Sequence, residues 1–349
     1  MPPAQACLVL CDSFQMDHIP THDHQPPFPR PRPRSALARL QQVLVSSALA
    51  AALAWLLWFW DGSRGLAVGG VLLIVLGYAL VLALEYVLVA SVNRSDSVPA
   101  ATLAALIGAW WGEVRVAPQV FCWRQPFRWR ALPDTDRLDP GHQATRAVVF
   151  VHGFMCNRGF WLPWMRELRA LGIPYTSVNL EPVFGSIDDY IPVVEEAVSR
   201  AQRLTGQAPV LVCHSMGGLA ARAWLAHEAQ AGQRVHQVIT LGTPHHGTWI
   251  GRFSLGVNVQ QMRQNHEWLA TLATGEATRG AGPYQRFVCW YSNADNLVFP
   301  ASTAMLPGAD NRHVPGVAHV ALAFHPRVMR ESLALLASAA STPAARSDT

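Results

Sequence analysis

The chain has 349 residues, of which 50% are hydrophobic and 14% are charged, and its formal net charge is +4. The charged fraction lies well below the roughly 25% of an average soluble protein, and the apolar excess is concentrated between residues 43 and 112. The arginines form no basic stripe and no nucleic-acid motif is present, so this composition excludes a nucleic-acid-binding protein.

Residues 1–42 are predicted to form a disordered tail rich in proline and arginine. Residues 26–34 read Pro-Pro-Phe-Pro-Arg-Pro-Arg-Pro-Arg, a pattern that favours extended chain and excludes a helix. Histidines at positions 18, 22 and 24 could bind a metal ion, but we expect a solvated tail instead. Residues 341–349 are predicted to be a second disordered tail.

Two uncharged apolar segments follow, and they predict a transmembrane helical hairpin over residues 43–90. Residues 43–60 and 65–84 would reach about 27 and 30 Å as helices, enough to cross a hydrocarbon core of roughly 30 Å. Two buried core helices are the alternative. Arginines at positions 30, 32, 34 and 39 precede the first span, so the positive-inside rule predicts a cytoplasmic N-terminus. The hairpin would then return the chain to the cytoplasm.

A third apolar stretch, residues 98–112, lies in a predicted linker over residues 91–120. It is shorter than the first two and contains Pro99. We therefore expect a helix that lies on the membrane surface or packs on the following domain. If this stretch crossed the membrane, everything after it would change sides.

Strand and helix patterns alternate within residues 121–340, the predicted catalytic domain. Continuous apolar runs are typical of buried parallel strands, and they occupy residues 147–152, 175–180, 210–212, 238–241 and 287–291. Helical segments occupy residues 160–171, 187–204, 219–227 and 328–336. This alternation predicts an α/β fold with a mostly parallel sheet and helices on both faces. Because no glycine-rich phosphate loop follows a strand, no nucleotide cofactor is expected.

The candidate nucleophile is a serine that directly follows the third apolar run. Ser215 lies in Cys-His-Ser-Met-Gly-Gly at 213–218, where a strand would turn at once into a helix and expose the hydroxyl. The usual pattern is G-x-S-x-G, because the tight turn needs small residues two positions before and after the serine. Gly217 fits, and Cys213 is small enough to fit. An ordinary strand-to-helix junction is the alternative.

A serine nucleophile also needs oxyanion donors, a base and an acid that orients the base. The turn at 152–154 follows the first apolar run and can present the N–H of Phe154 opposite the N–H of Met216, as an oxyanion hole requires. The candidate acid is Asp295, in a loop after a buried strand, and the candidate base is His319. Alternatives are Asp188, Asp189 and Asp310 for the acid, and His313 and His325 for the base. The order Ser215, Asp295, His319 is the order expected on an α/β-hydrolase sheet.

With these motifs, residues 115–338 resemble bacterial triacylglycerol lipases and esterases of the α/β-hydrolase superfamily. The resemblance rests on Val-His-Gly-Phe at 151–154, on the serine motif at 213–218, on Leu-Gly-Thr-Pro-His-His-Gly-Thr at 241–248, and on the loops of Asp295 and His319. Asn-Leu-Glu-Pro at 179–182 and Ser-Ile-Asp-Asp-Tyr at 186–190 look similar to the same group. The chain departs from it at Cys213, and in a retained membrane hairpin where secreted members carry a cleaved signal.

The resemblance implies Ser215 as nucleophile, Asp295 as acid, His319 as base, and the backbone amides of Phe154 and Met216 as oxyanion hole. It implies a serine hydrolase that cleaves carboxylic esters of acyl chains or lipids through an acyl-enzyme. The predicted hairpin would anchor this enzyme in the bilayer. The location would be a bacterial inner membrane, crossed more than once, with a cytoplasmic catalytic domain. No cofactor is expected, and no calcium site is assigned.

Two other functions stay open at this point. An acyltransferase or thioesterase would use the same triad. A catalytically inactive membrane adaptor would retain the fold but would be expected to lack a triad member, whereas all three are present.

The chain has six cysteines: Cys7, Cys11, Cys122, Cys156, Cys213 and Cys289. They show no zinc-site spacing and no C-x-x-C pair, and this favours free thiols in a reducing compartment.

A lid is a further possibility. Residues 257–272 are predicted to form one helix with Val259, Met262 and Leu269 on one side and Trp268 nearby, and this helix could cover an apolar groove or pack on the core.

Overall fold

The structure is a computed structural model that describes residues 35–138, 146–228, 230–253, 256–278 and 282–341. Most of the predicted tails at 1–42 and 341–349, together with Cys7 and Cys11, lies outside these residues. The predicted N-terminal tail is too long, however, because helix α1 (Ala36–Phe59) begins inside it. Ser35 caps this helix by accepting a hydrogen bond from the N–H of Ala38, and Leu37 and Ala38 are buried.

Three apolar helices make up the N-terminal part of the described chain: α1, α2 (Arg64–Leu76) and α3 (Tyr78–Val92). A short turn joins α1 to α2, and the indole Nε1 of Trp55 donates to the Leu66 carbonyl at 3.0 Å. The predicted second span at 65–84 is interrupted at Gly77, so its residues are divided between α2 and α3. By length and composition, Ala36–Phe59 and Tyr78–Ser95 could each cross a membrane.

The next helix, α4 (Leu103–Pro118), replaces the helix predicted at 98–112. Pro99 lies before it rather than inside it, and Thr102 caps its first turn by accepting from the N–H of Ala105. The chain continues through a wider helical turn (Gln119–Arg124) into the short helix α5 (Gln125–Phe127).

A six-stranded parallel sheet forms the centre of the fold, in the spatial order β2-β1-β3-β4-β5-β6. The sequence predicts five of these strands and misses the edge strand β6, which reads Asp-Asn-Arg-His and carries no apolar signal. A charged edge strand is a common way to prevent pairing with other chains. In chain order the strands are β1 (Val148–Val151), β2 (Tyr175–Ser177), β3 (Val210–His214), β4 (Gln237–Leu241), β5 (Phe287–Tyr291) and β6 (Asp310–His313).

Helices cover both faces of the sheet, as the alternating pattern predicts. The helices after the first strand are α6 (Leu162–Ala170), α7 (Ile191–Thr205), α8 (Met216–His227), α9 (Val257–Gln261), α10 (Glu267–Ala277), α11 (His319–Ala323) and α12 (Pro326–Ser341). Val149, Val151 and Leu211 point to the face that packs on α7 and α8, and Val148 and Phe150 point to the face that packs on α6 and α12. This alternation follows from the period of two in a strand.

The single helix predicted at 257–272 is wrong. The chain forms α9 and α10, and between them Asn265 has a φ of 60°, a left-handed conformation that ends regular helix. Leu269 is buried in the core, and the indole of Trp268 donates to the Asp188 carboxylate at 2.9 Å.

Candidate active site

Ser215 lies at the junction between the end of β3 and the start of α8. Its φ of 53° and ψ of −127° place a residue with a Cβ in a conformation that is rarely adopted, as in the strained strand-to-helix turn predicted from the motif. The N–H of Ser215 donates to the Leu241 carbonyl on β4 at 2.9 Å, so the sheet itself holds the turn.

Small residues around Ser215 allow close approaches of the backbone. A Cβ on Gly217 would clash with the Val151 carbonyl oxygen, and a Cβ on Gly153 would lie 2.8 Å from the Cβ of Ser215. Cys213 is fully buried on the α7–α8 face, and its Cα pairs in register with Val151 on β1 and Thr240 on β4. The cysteine therefore occupies the first small position with its side chain packed in the core.

Asp295 and His319 are brought together by the loops that follow β5 and precede α11. The Nδ1 atom of His319 lies 2.8 Å from Oδ2 of Asp295, and each side chain is only 2% exposed. The other carboxylate oxygen, Oδ1, accepts from the N–H groups of Leu297 at 2.9 Å and Val298 at 2.7 Å. Because a carboxylate accepts, Nδ1 carries the proton in the neutral ring, and Nε2 is left as the acceptor.

The pKa of His319 reflects opposing influences. Burial lowers it, but the charge and hydrogen bond of Asp295 and the charges of Glu113 and Glu85 raise it, and the net shift is upward. His214 lies between Phe160 and His319, with ring centroids 4.4 and 4.7 Å away, and burial lowers its pKa well below the usual value. His214 thus adds a neutral ring beside His319.

The turn after β1 is fixed by His152, which sequence reasoning treated only as part of the turn. Its Nε2 accepts from the N–H of Leu180 at 3.0 Å, so the proton resides on Nδ1, which donates to the Gly153 carbonyl at 2.9 Å. Burial lowers the pKa of His152 to about 4, which keeps the ring neutral at physiological pH. Among the described residues, no hydrogen-bond acceptor is found for the N–H of Phe154 or Met216.

A cavity of about 370 Å³ contains Ser215 and His319 in its wall. Its lining is otherwise mainly apolar, and Phe253 at its edge is 68% exposed. Val259 and Met262, both predicted for the lid side of a helix, are part of this wall. The other lining residues are Phe121, Phe154, Cys156, His214, Pro244, Thr248, Ile250, Phe253, Leu297, Val298 and Val320.

The alternative acids and bases lie elsewhere. Asp189 and Ser186 form a capping box, and Asp188 accepts from Trp268. Asp310 on β6 pairs with Arg312 at 2.7 Å, and His313 stacks on Tyr291. His325 lies between α11 and α12. None of these five residues is in the wall of the cavity.

Three polar residues beside the Asp295–His319 pair were not identified from the sequence: Glu85 on α3, Glu113 on α4 and Asn296 after Asp295. Asn296 Oδ1 accepts from the backbone N–H of His319 at 3.1 Å, and Asn296 Nδ2 donates to Glu85 at 2.6 Å. A carboxylate inside an apolar stretch is a sequence signal that could have found both glutamates. Within the described residues there is no group of three or more His, Cys, Asp or Glu that could hold a metal ion.

The family model for a PGAP1-like alpha/beta domain matches residues 185–281, a range that includes Ser215 but ends before Asp295. A search of curated proteins found no match. Lipase B of Aspergillus fumigatus superimposes with a TM-score of 0.52 at 16% identity, over 86% of this chain and 81% of that chain. The propeptide form of lipase BlEst2 of Bacillus licheniformis gives a TM-score of 0.50 at 19% identity, over 62% of this chain and 54% of that chain. This chain has the α/β-hydrolase fold.

The α/β-hydrolase fold confirms the predicted fold class. At these identities the similarity shows the fold alone, since unrelated functions share it. The resemblance to bacterial members in particular stays a prediction, because the similar structures include a lipase of Aspergillus fumigatus as well as one of Bacillus licheniformis.

Proposed function

We propose that this protein is a serine hydrolase that cleaves carboxylic esters of acyl chains or lipids. The observation that carries the proposal is the buried 2.8 Å contact between Asp295 and His319, because His319 lines the same cavity as a serine at a strained strand-to-helix turn. The apolar lining suits an acyl chain. The two similar structures described above are lipases by name, which is in line with this substrate class.

In the proposed mechanism, Ser215 attacks the ester carbonyl while His319 Nε2 takes the hydroxyl proton. Asp295 holds the ring in the required tautomer and stabilises the imidazolium. The N–H groups of Phe154 and Met216 donate to the oxyanion of the tetrahedral intermediate. His319 then gives its proton to the leaving alcohol, and water attacks the acyl-enzyme in a second, equivalent cycle.

Replacement of the serine tests this function. We expect Ser215→Ala to lower the turnover of p-nitrophenyl esters by up to about 10⁶-fold, because no other group on the turn can form the acyl-enzyme. Ser338→Ala on the exposed side of α12 is the matched control and should keep full activity. Short and long acyl chains measured in parallel give the chain-length preference.

A Ser215→Ala variant as active as the wild type would overturn the mechanism. A wild type that transfers the acyl group to an added alcohol or thiol faster than to water would identify an acyltransferase. A wild type inactive on every chain length would favour the inactive adaptor.

We further propose that the spans at residues 43–60 and 65–84 anchor the protein in a bacterial inner membrane as a hairpin. Large apolar side chains on these helices are exposed, Trp58 by 82%, which a soluble surface would disfavour. Both ends of the hairpin contact the sheet domain: Gln41 bonds to Gln125, and Asn93 bonds to the Asn293 carbonyl. Ends held by one domain support a hairpin that returns to its starting side. The arginines before the first span are the reason to propose that this side is the cytoplasm.

A topology reporter tests the anchor. Alkaline phosphatase fused after residue 338 should be inactive and a fluorescent protein at the same position should be bright, because the domain is expected to be cytoplasmic. An active phosphatase fusion would place the domain in the periplasm. Release of the protein from membranes by alkaline carbonate would contradict the anchor itself.

A further inference from the structure

The helices α3 and α4 pack directly on the loops of Asp295 and His319. Tyr86 on α3 and Ala109 on α4 share an apolar cluster with Ala294 and Ala318, the residues immediately before the candidate acid and base. The sequence predicts the start of α3 to be part of the second membrane span and α4 to be part of the linker. In the structure they form one wall of the candidate catalytic machinery.

Glu113 is the polar centre of this contact. Its side chain is buried, and its two carboxylate oxygens accept from two successive amides, Oε1 from Val320 and Oε2 from Ala321, both at 3.1 Å. These amides belong to the first turn of α11, where N–H groups have no partner inside the helix. A carboxylate can accept at both oxygens, whereas an amide side chain can accept at only one.

The N–H of His319, which precedes these two amides, also has a side-chain acceptor. The N–H of His319 donates to Asn296 Oδ1 at 3.1 Å, and the Asn296 amide in turn donates to Glu85 on α3 at 2.6 Å. Three consecutive N–H groups, those of His319, Val320 and Ala321, therefore each have a side-chain acceptor. These hydrogen bonds fix the backbone at His319, from which the imidazole projects. The carboxylates that complete them, Glu113 and Glu85, come from α4 and α3, which lie outside the sheet.

We propose that Glu113 is a positioning residue for His319: its carboxylate holds the start of α11 so that the imidazole stays on Asp295, and its negative charge favours the imidazolium formed during the reaction. This inference rests on the proposed function of the triad. Glu113 does not line the cavity, so it acts through His319 and not on the substrate.

The charged and titratable groups that face His319 are Asp295 from the loop after β5, Glu113 from α4, Glu85 from α3 and His214 from β3. Burial raises the pKa of Glu113 to about 7, while the His319 charge and the two N–H donors act in the opposite direction. The acidic limb of the pH–activity profile, where activity falls as the pH is lowered, therefore reflects the coupled titration of His319 and Glu113. Because His319 must be neutral to take a proton, a group that raises its pKa moves this limb to higher pH.

Glu113→Gln in the full chain in detergent micelles is the central experiment. The variant has nearly the same shape but lacks the charge and one acceptor. We expect kcat for a p-nitrophenyl ester to fall by about 10- to 100-fold with KM little changed, because the base is misplaced while the cavity is intact. The acidic limb of kcat/KM should move to lower pH by roughly half to one unit. Glu113→Asp retains the charge and should restore the position of the limb.

Glu196→Gln is the matched control, because Glu196 is an exposed carboxylate on α7 that pairs with Arg203 at 3.1 Å. This variant should change neither kcat nor the pH position of the acidic limb. The rate at which a fluorophosphonate probe labels Ser215, followed against pH, gives the same limb without any ester. An active Glu113→Gln variant with an unmoved limb would overturn the inference and leave the proposed function standing. A wild type that neither hydrolyses esters nor reacts with the probe would instead overturn the proposed function.

Discussion

At the residue scale, the departure of Cys213 from the usual glycine has a simple structural explanation. Cys213 pairs in register with Val151 and Thr240 on the two neighbouring strands, and its small side chain is buried in the apolar layer under α7 and α8. Burial raises the pKa of the Cys213 thiol beyond its usual range, so it remains a neutral, weakly reactive group. Nothing in this environment places it in competition with Ser215 as a nucleophile.

The choice of Asp295 over the other carboxylates can be tested at the same scale. We expect Asp295→Asn to lower kcat by roughly 10⁴-fold, because an amide in that position would no longer favour the Nδ1–H tautomer of His319. Asp310→Asn is the matched control, since Asp310 pairs with Arg312 on the edge strand. Ester hydrolysis measured on both variants decides which of the two carboxylates is the acid. Comparable losses of kcat in the two variants would refute the assignment of Asp295.

At the element scale, α4 has two different faces. One presents Leu106, Ala109 and Glu113 to the domain, and the other exposes Leu103, Ile107 and Trp111. The sequence predicts a helix over residues 98–112 that lies on the membrane surface or packs on the domain, and this range ends one residue before Glu113. Its partners, the amides of α11, lie more than two hundred positions later, and no local pattern predicts a contact of that separation.

Truncation separates the contributions of these elements. A chain that begins at residue 97 retains α4 and Glu113, whereas a chain that begins at residue 121 lacks both. We expect the shorter chain to unfold at a lower temperature and to be labelled far more slowly by a fluorophosphonate, because the amides of Val320 and Ala321 lose their buried acceptors. Thermal unfolding and probe labelling in detergent provide the measurements. Equal labelling of the two chains would show that the sheet domain alone fixes His319.

At the scale of the whole molecule, the apolar hairpin and the sheet domain are joined at both ends of the hairpin. In the first turns of α1, Leu37, Ala38 and Gln41 are buried, and the N–H of Ala36 donates to Glu181 at 2.7 Å. In the second half of α3, Tyr86 and Val89 are buried, whereas most large side chains between these two points are exposed. In the proposed orientation, the candidate site would therefore be held at a fixed distance from the bilayer, where acyl substrates are concentrated.

The sequence by itself determined the fold class, five of the six strands and the serine turn, and it predicted the order of the candidate nucleophile, acid and base. These features depend on local patterns: apolar runs for buried strands, small residues around a tight turn, and loops after strand ends. The tertiary structure decided which acid meets His319, that residues 257–272 divide into two helices, that an all-polar segment becomes the edge strand, and that Glu113 and Asn296 hold the start of α11. Each of these depends on which distant side chain satisfies a buried charge or N–H group, and only the folded chain defines that partner.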